Sequence, residues 1–232
     1  MHLTILDPNN PRQDFPSVSK AMTDPDGLLA VGGCLSKKRI LNAYRLGIFP
    51  WYSPGEPILW WSPNPRLILF PEQLKVSRSL RKTLRQKNFT FTVDQAFNEV
   101  IEACAKPRSY SKETWISDDM QAAYCRLYQS GYAHSAEAWL NGELVGGLYG
   151  VALGQVFFGE SMFHTYTDAS KVVFVSLVEQ LKLWGFQIID CQVHSEHLAS
   201  FGAINCERSE FIGLLNDYCD EPVSSSAWHL LP

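Results

Sequence analysis

His134-Ser135-Ala136-Glu137-Ala138-Trp139-Leu140-Asn141-Gly142-Glu143-Leu144-Val145-Gly146-Gly147-Leu148-Tyr149-Gly150-Val151 decides the fold. Asn-Gly between two strand-forming runs marks a type I′ turn, because both central residues of that turn need positive φ. The stretch reads as a β-hairpin with strands 134–140 and 143–151. Downstream, residues 155–160 form a third strand, and a helix from Asp168 or Ser170 stops at Gly185. Residues 186–190 read as a buried strand, and 197–201 as a short helix ended by Gly202. Three strands, a helix, a strand and a helix make an α+β fold with a mixed sheet.

Upstream of the hairpin, Ser117 caps a helix reaching Ser130, and Asp94 caps one reaching Cys104. Phe89 to Val93 alternates as a strand, Arg66 to Phe70 is another, and 106–113 is a polar loop. Ser36 caps a helix from Lys37 to Arg45, which Gly47 ends. The first 25 residues, with four prolines, read as surface coil, and 26–33 as a buried apolar turn or short strand. From Ile48 to Arg66, five prolines stand among five aromatic residues. Proline rules out a regular helix or central strand there, so the segment is a rigid scaffold or a binding wall. The domain boundary is placed here. Residues 1–65 form a small Pro- and aromatic-rich N-terminal domain, and 66–232 the larger second domain.

The 232 residues are 46% hydrophobic and 19% charged, which excludes a disordered chain, a coiled coil and a collagen-like repeat. A net charge of −4 argues against a protein that coats nucleic acid non-specifically. The charge is uneven, however. Residues 66–88 hold seven basic side chains against Glu72 alone, a local +6 that leaves −10 for the rest. A helix over 76–87 would turn Val76, Leu80 and Leu84 inward and Arg78, Arg81, Lys82 and Arg85 outward. That face is either plain solvated surface or a phosphate-binding patch. Six cysteines without Cys-x-x-Cys spacing read as reduced thiols. No secretory pattern opens the sequence and no apolar run of spanning length occurs, so a cytoplasmic protein without a membrane anchor is expected.

The second half resembles the acyl-transferase fold of the acetyltransferase superfamily, the GNAT-like fold, in which the acyl donor sits where two neighbouring strands splay apart. That superfamily has a glycine-rich pyrophosphate loop after the third strand. Phe163-His164-Thr165-Tyr166-Thr167-Asp168 stands there instead, with no glycine to let backbone approach phosphate, so coenzyme A is not the expected donor. Six motifs narrow the resemblance. They are Gly27-Leu28-Leu29-Ala30-Val31-Gly32-Gly33, Gly47-Ile48-Phe49-Pro50-Trp51 and Ile58-Leu59-Trp60-Trp61-Ser62-Pro63, then Gly159-Glu160-Ser161-Met162-Phe163, Asp190-Cys191-Gln192 and Ala199-Ser200-Phe201-Gly202-Ala203. In this order they resemble leucyl/phenylalanyl-tRNA–protein transferases from about Asp26 to the C-terminus. The resemblance implies transfer of Leu or Phe, less readily Met, from aminoacyl-tRNA to the α-amine of proteins beginning with Arg or Lys, which marks them for N-end rule degradation. It implies neither metal nor coenzyme, and a monomer, since one chain supplies every part of the site.

The resemblance also implies roles for residues. Gln192 accepts a hydrogen bond from the α-amine and Asp190 orients Gln192, the two pointing to one side of their strand. Glu160 is the acidic contact to the acceptor peptide. Leu148, Phe157, Met162, Leu177 and Ile189 line the aminoacyl side-chain pocket, with Leu148 where methionine is expected. Trp51 and Trp115, with Tyr44 nearby, stack the terminal adenosine. Arg78, Arg81, Lys82 and Arg85 hold tRNA phosphates. Cys34 stands where the family usually has Asp, at the cost of a cap or turn hydrogen bond rather than of chemistry. By pattern alone, Asp190 and Glu160 read equally as solvated strand ends, the five apolar residues as plain core, and the tryptophans as packing. His194-Ser195-Glu196-His197 matches no zinc spacing. The rival readings are a coenzyme A-dependent N-acetyltransferase and an RNA-binding adaptor that modifies nothing.

Overall fold

The computed structural model describes residues 3–86, 89–106 and 114–229, so Lys87, Asn88 and most of the polar loop at 106–113 lie outside the described residues. The hairpin forms as its turn requires, with φ of 52° at Asn141 and 83° at Gly142. It belongs to a seven-stranded sheet. Its strands are β5 (Arg66–Leu69), β6 (Thr90–Val93), β7 (Ala133–Leu140), β8 (Glu143–Leu153), β9 (Val156–His164), β10 (Ile188–Gln192) and β11 (Ile204–Cys206). Their order is β11-β5-β10-β9-β8-β7-β6. β9 and β10 run parallel, and every other pair is antiparallel. A four-stranded sheet precedes it, with β1 (Thr4–Leu6), β2 (Leu28–Gly32), β3 (Phe49–Pro50) and β4 (Leu59–Trp61) in the order β1-β2-β4-β3.

The helices are α1 (Lys37–Arg45), α2 (Arg78–Arg85), α3 (Phe97–Ala105), α4 (Asp118–Gln129), α5 (Ala169–Trp184), α6 (Glu196–Ala199) and α7 (Arg208–Tyr218). Strand alternation sends Phe157 and Phe158 to opposite faces of the large sheet. Phe157 joins Leu148, Ile189 and the α5 residues Val173, Leu177 and Val178 in one core. Phe158 joins Tyr149, Ile188 and the α3 and α4 residues Val100, Ile101, Tyr124 and Leu127 in the other. This second core continues into Tyr44 of α1 and Trp60 of β4. The two sheets therefore share one apolar interior, although pairing changes hands between Trp61 and Arg66. Trp60 is fully buried and donates from Nε1 to the Gly32 carbonyl at 2.8 Å. Truncating a tryptophan so placed costs about 3–5 kcal/mol.

Several expectations are corrected. The N-terminal segment is not all coil, because β1 pairs parallel with β2 and the buried Arg39 fork donates to the Asn10 and Gln13 carbonyls. The proline-rich segment contains a central strand after all. Three residues of β4 fit between Pro57 and Pro63, while Pro50 occupies the edge strand, where a missing N–H is harmless. Asp94 does not cap α3. At φ 55° its carboxylate turns to His134 Nδ1 (2.7 Å) and the Ser135 N–H (2.8 Å) instead. The third strand runs on through Glu160 to His164, and β11 is an edge strand without a counterpart in the sequence reading. None of the six cysteines forms a disulfide. Among the described residues no helix is long and apolar enough to cross a membrane.

Candidate active site

β9 and β10 stay paired as far as Asp190 opposite Phe158, and then they part. Each strand carries an irregularity there. On β9, Tyr149 faces Ser161 and Gly150 faces Gly159, so Glu160 is the extra residue of a bulge. Bulges interrupt pairing and re-aim a side chain. Glycine at 150 permits this one, since a Cβ there would stand 2.3 Å from the Phe158 carbonyl oxygen. On β10, Asp190 faces Ile68 and Gln192 faces Leu67, so Cys191 is passed over and Gln192 takes φ 59°. The two-residue alternation expected to set Asp190 and Gln192 side by side is therefore broken. Asp190 is 0% exposed and not a solvated strand end, while Gln192 is half-buried at the opening.

Between the parted strands and α5 lies a cavity of about 320 Å³. Leu148, Phe157, Met162, Leu177 and Ile189 all line it, and so do Trp115, Glu160, Asp190 and Gln192. The five apolar residues come from three strands and one helix, and the fold brings them together. Trp228, which sequence reasoning passed over, backs the Phe157 wall. It stacks on His134 at 3.8 Å and lies 5.7 Å from the Phe157 ring.

Glu160 sits in a ring of hydroxyls. Tyr44 donates to its Oε1 at 2.6 Å and Tyr124 to its Oε2 at 2.7 Å, and the two tyrosine oxygens are 2.6 Å apart. Three contacts need three protons, and two tyrosines hold two. The third is available only while the carboxyl is protonated. In keeping with this, burial pushes the Glu160 carboxyl up from 4.5 to about 7, against the pull of its tyrosine hydrogen bonds and with the push of Asp190. Burial and Glu160 likewise hold both tyrosines well above their ordinary range. Gln192 Nε2 donates to Glu160 Oε1 at 3.1 Å, which leaves Gln192 Oε1 free to accept.

Asp190 is held by Arg66, which the sequence reading had counted in the basic segment. Arg66 is 1% exposed and binds the carboxylate through Nε (2.8 Å) and Nη2 (2.6 Å). Asp190 Oδ1 also accepts the backbone N–H of Gln192 at 2.9 Å. What Asp190 orients directly is thus the backbone of Gln192, and Glu160 orients its amide. Cys191 is no nucleophile, since burial and the Asp190 charge push its thiol far above the range of a reactive thiolate.

The outer residues divide. Trp115 lines the cavity. Trp51 is 45% exposed, tilted against Trp61 at 5.8 Å, and lies outside the cavity wall. Tyr44 is 0% exposed, so it offers no stacking face; its ring packs on Phe158 and its hydroxyl serves Glu160. Arg78, Arg81, Lys82 and Arg85 are exposed on α2, with Leu80 turned inward. Among the described residues none of the four basic side chains forms a salt bridge.

An apolar pocket ending on an amide acceptor and a carboxyl, with no activated nucleophile in between, suits direct passage of an acyl group to an amine. Fold and site together define an acyl-transferring enzyme. Comparison with known proteins makes the class particular. The family model described as leucyl/phenylalanyl-tRNA protein transferase matches residues 68–216, and that of its N-terminal domain residues 33–64. A leucyl/phenylalanyl-tRNA–protein transferase of Methylococcus capsulatus is 56% identical over 230 residues, which is 99% of this chain and 98% of that protein. One of Pseudomonas fluorescens is 57% identical over 208 residues, 90% of this chain and 92% of that protein. The chain belongs to the leucyl/phenylalanyl-tRNA–protein transferase family and is an aminoacyltransferase. Among solved structures, FemX aligns over 74% of this chain and 66% of its own at 10% identity, with a TM-score of 0.48.

Proposed function

We propose that this chain transfers leucine or phenylalanine, and less readily methionine, from aminoacyl-tRNA to the N-terminal α-amine of proteins beginning with Arg or Lys, so marking them for N-end rule degradation. It acts in the cytoplasm, as a monomer, without metal or coenzyme. The observation that carries the reading is the cavity itself. Its walls are Leu148, Phe157, Met162, Leu177 and Ile189, and its mouth is the Glu160–Gln192 pair.

An unbranched-at-Cβ apolar side chain suits such a pocket, while a charged one would lose its hydration without a partner. The bond broken joins the aminoacyl carbonyl carbon to a ribose oxygen. The bond formed joins that carbon to the acceptor nitrogen. The nitrogen gives up one proton and the ribose oxygen takes one up, so the step balances without an external reactant. An α-amine has an unperturbed pKa of about 7.7–8.0, so a useful fraction is neutral near pH 7 and orientation matters more than a strong base. Gln192 Oε1 accepts from that amine while its Nε2 stays on Glu160. Asp190 is not the base, because both its oxygens already serve Arg66 and Oδ1 serves the Gln192 backbone. Glu160 accepts three hydrogen bonds of the roughly four a carboxylate can take, which leaves Oε2 room for the acceptor's cationic side chain. Trp51 and Trp115 hold the terminal adenosine, and Arg78, Arg81, Lys82 and Arg85 hold backbone phosphates.

The test is a transfer assay with leucyl-tRNA and a model protein beginning with Arg, the acceptor read by mass spectrometry. The expected result is a gain of one leucine, absent from an acceptor beginning with Ala. Bound tRNA without transfer would favour the RNA-binding adaptor.

A further inference from the structure

We propose that Arg66 is the positioning residue of this site: by gripping Asp190 it fixes the backbone turn that presents Gln192 to the attacking amine. The inference rests on the transfer reading for its chemistry, but its geometry stands apart from it.

Arg66 opens β5, the strand between β10 and β11. Each of its three guanidinium nitrogens has a partner. Nε and Nη2 bind the two oxygens of Asp190, and Nη1 donates to the Gly47 carbonyl at 3.2 Å. The plane also packs between two aromatic rings, 4.7 Å from Phe49 and 4.8 Å from Phe211. Arginine is suited to such a place, because its planar fork meets a carboxylate with two parallel bonds and stacks on ring faces. The fork is thus fixed by the N-terminal sheet, by the turn after α1 and by α7 at once. Glycine at 47 lets this turn lie close against α7, since at φ 70° a Cβ there would stand 2.6 Å from the Ile212 side chain.

What the fork holds is strained. Cys191 is passed over in the pairing, and Gln192 adopts a left-handed conformation that a side chain other than glycine disfavours. A polar contact at the backbone offsets this, the Gln192 N–H to Asp190 Oδ1. If Asp190 turned, that N–H would lose its acceptor, and the amide would leave its place beside Glu160. A buried carboxylate stays in one rotamer only when its charge and both oxygens are matched. Arg66 supplies that match from across the sheet. The chain of position therefore runs from Arg66 to Asp190 to the Gln192 backbone.

The experiment uses the full chain with Arg66→Gln, Arg66→Lys, Asp190→Asn and the Arg66→Gln/Asp190→Asn pair. Two quantities are read: hydrogen exchange at the Gln192 backbone amide by NMR, and kcat and KM for leucyl-tRNA. Each of the Gln and Asn single variants should lower kcat at least a hundredfold, with KM for leucyl-tRNA within threefold and protection of the Gln192 amide lost. The neutral pair, which leaves no unmatched charge, should regain at least tenfold in kcat over either single variant, together with the amide protection. Arg66→Lys keeps the charge without the fork and should fold even where Arg66→Gln does not; at least tenfold lower kcat and weaker Gln192 protection are expected. Unchanged protection in Arg66→Lys and Arg66→Gln would overturn the proposal. So would a pair that regains protection yet stays as inactive as Asp190→Asn, since Asp190 would then act in the chemistry itself. If the wild-type chain transferred no leucine, the functional reading would fail, while the exchange measurement would still decide whether Arg66 sets the Gln192 turn.

Discussion

Glu160→Gln should make the protein more stable at pH 8 and a poorer enzyme. The carboxyl lies at about 7 in the folded chain against an ordinary 4.5. The folded state therefore binds this proton more tightly than the unfolded state does. For a carboxyl raised in this way, the contribution to stability is greatest below about pH 4.5, declines as pH rises to about 7, and is flat above. At about 1.4 kcal/mol per unit, the whole penalty at pH 8 is roughly 3 kcal/mol. The hydroxyl ring gives the same sign independently. With Glu160 ionised, three contacts among Tyr44, Tyr124 and Glu160 share two protons. A carboxamide has nearly the same shape and brings N–H donors of its own, so the ring is satisfied at every pH.

Urea unfolding of both proteins at pH 5 and pH 8 isolates the effect, because all other titrations cancel in the double difference. Between those pH values wild type should lose about 2–3 kcal/mol more than Glu160→Gln. Parallel pH dependences, agreeing within about 0.5 kcal/mol, would refute the claim that Glu160 holds a proton in the folded chain. In the transfer assay the same variant should show a raised KM for an acceptor beginning with Arg, because the anionic partner is gone.

Transfer by wild type should rise through about pH 7 as Glu160 ionises, and Glu160→Gln should lose that step and keep only the slope from the acceptor amine; rates from pH 5.5 to 9 test this. Leu148→Met, a change of shape at nearly constant volume in the pocket wall, should cost less than about 1.5 kcal/mol of stability and shift the Phe-to-Leu ratio of kcat/KM by up to about tenfold. Arg81→Ala/Arg85→Ala should leave the melting temperature almost unchanged, since both side chains are exposed, and lower the salt slope of tRNA binding by about 2; an unchanged slope would make α2 a plain solvated face. Trp51→Ala should weaken leucyl-tRNA binding by about 1–3 kcal/mol, the value of one base stacked on an aromatic ring, and equal loss for tRNA lacking its terminal adenosine would refute the stacking role.

The elements that local chemistry dictates were legible. Ser36 and Ser117 cap α1 and α4, Asn141-Gly142 turns the hairpin, and Gly185 ends α5 at φ 90°. Pairing with distant strands was not, and so β1 and β11 were passed over. Three residues beside a remote partner carry no periodic signal of their own. The five apolar residues that line the cavity were named through the family resemblance rather than through pattern, because by periodicity they read as core. Arg66 was misread because charge at the start of a strand ordinarily means surface. A signal did exist: Asp190 follows Ile188-Ile189 in a strand read as buried, and a buried carboxylate demands a cation. Tyr124 gave a similar sign. It lies on the face of α4 that Met120, Ala123 and Leu127 bury, where a hydroxyl needs a partner.

The deeper failure lay in a rule rather than a residue. Period-two alternation places side chains correctly along most of β8, β9 and β10, and it breaks at Glu160 and at Cys191. Both breaks fall where the parallel pair opens. A regular ladder would fill that opening with backbone hydrogen bonds and send Gln192 to the face opposite its present one. The bulges leave the gap open and turn one carboxyl and one amide toward each other across it. Their cost is a left-handed Gln192, held by Asp190 Oδ1, and a carboxyl short of a proton above pH 7. Arg66 and the two tyrosines, reaching in from β5, α1 and α4, supply the compensation. Irregular sequence-to-structure behaviour and remote polar support are thus one feature, and both fall at the mouth of the cavity.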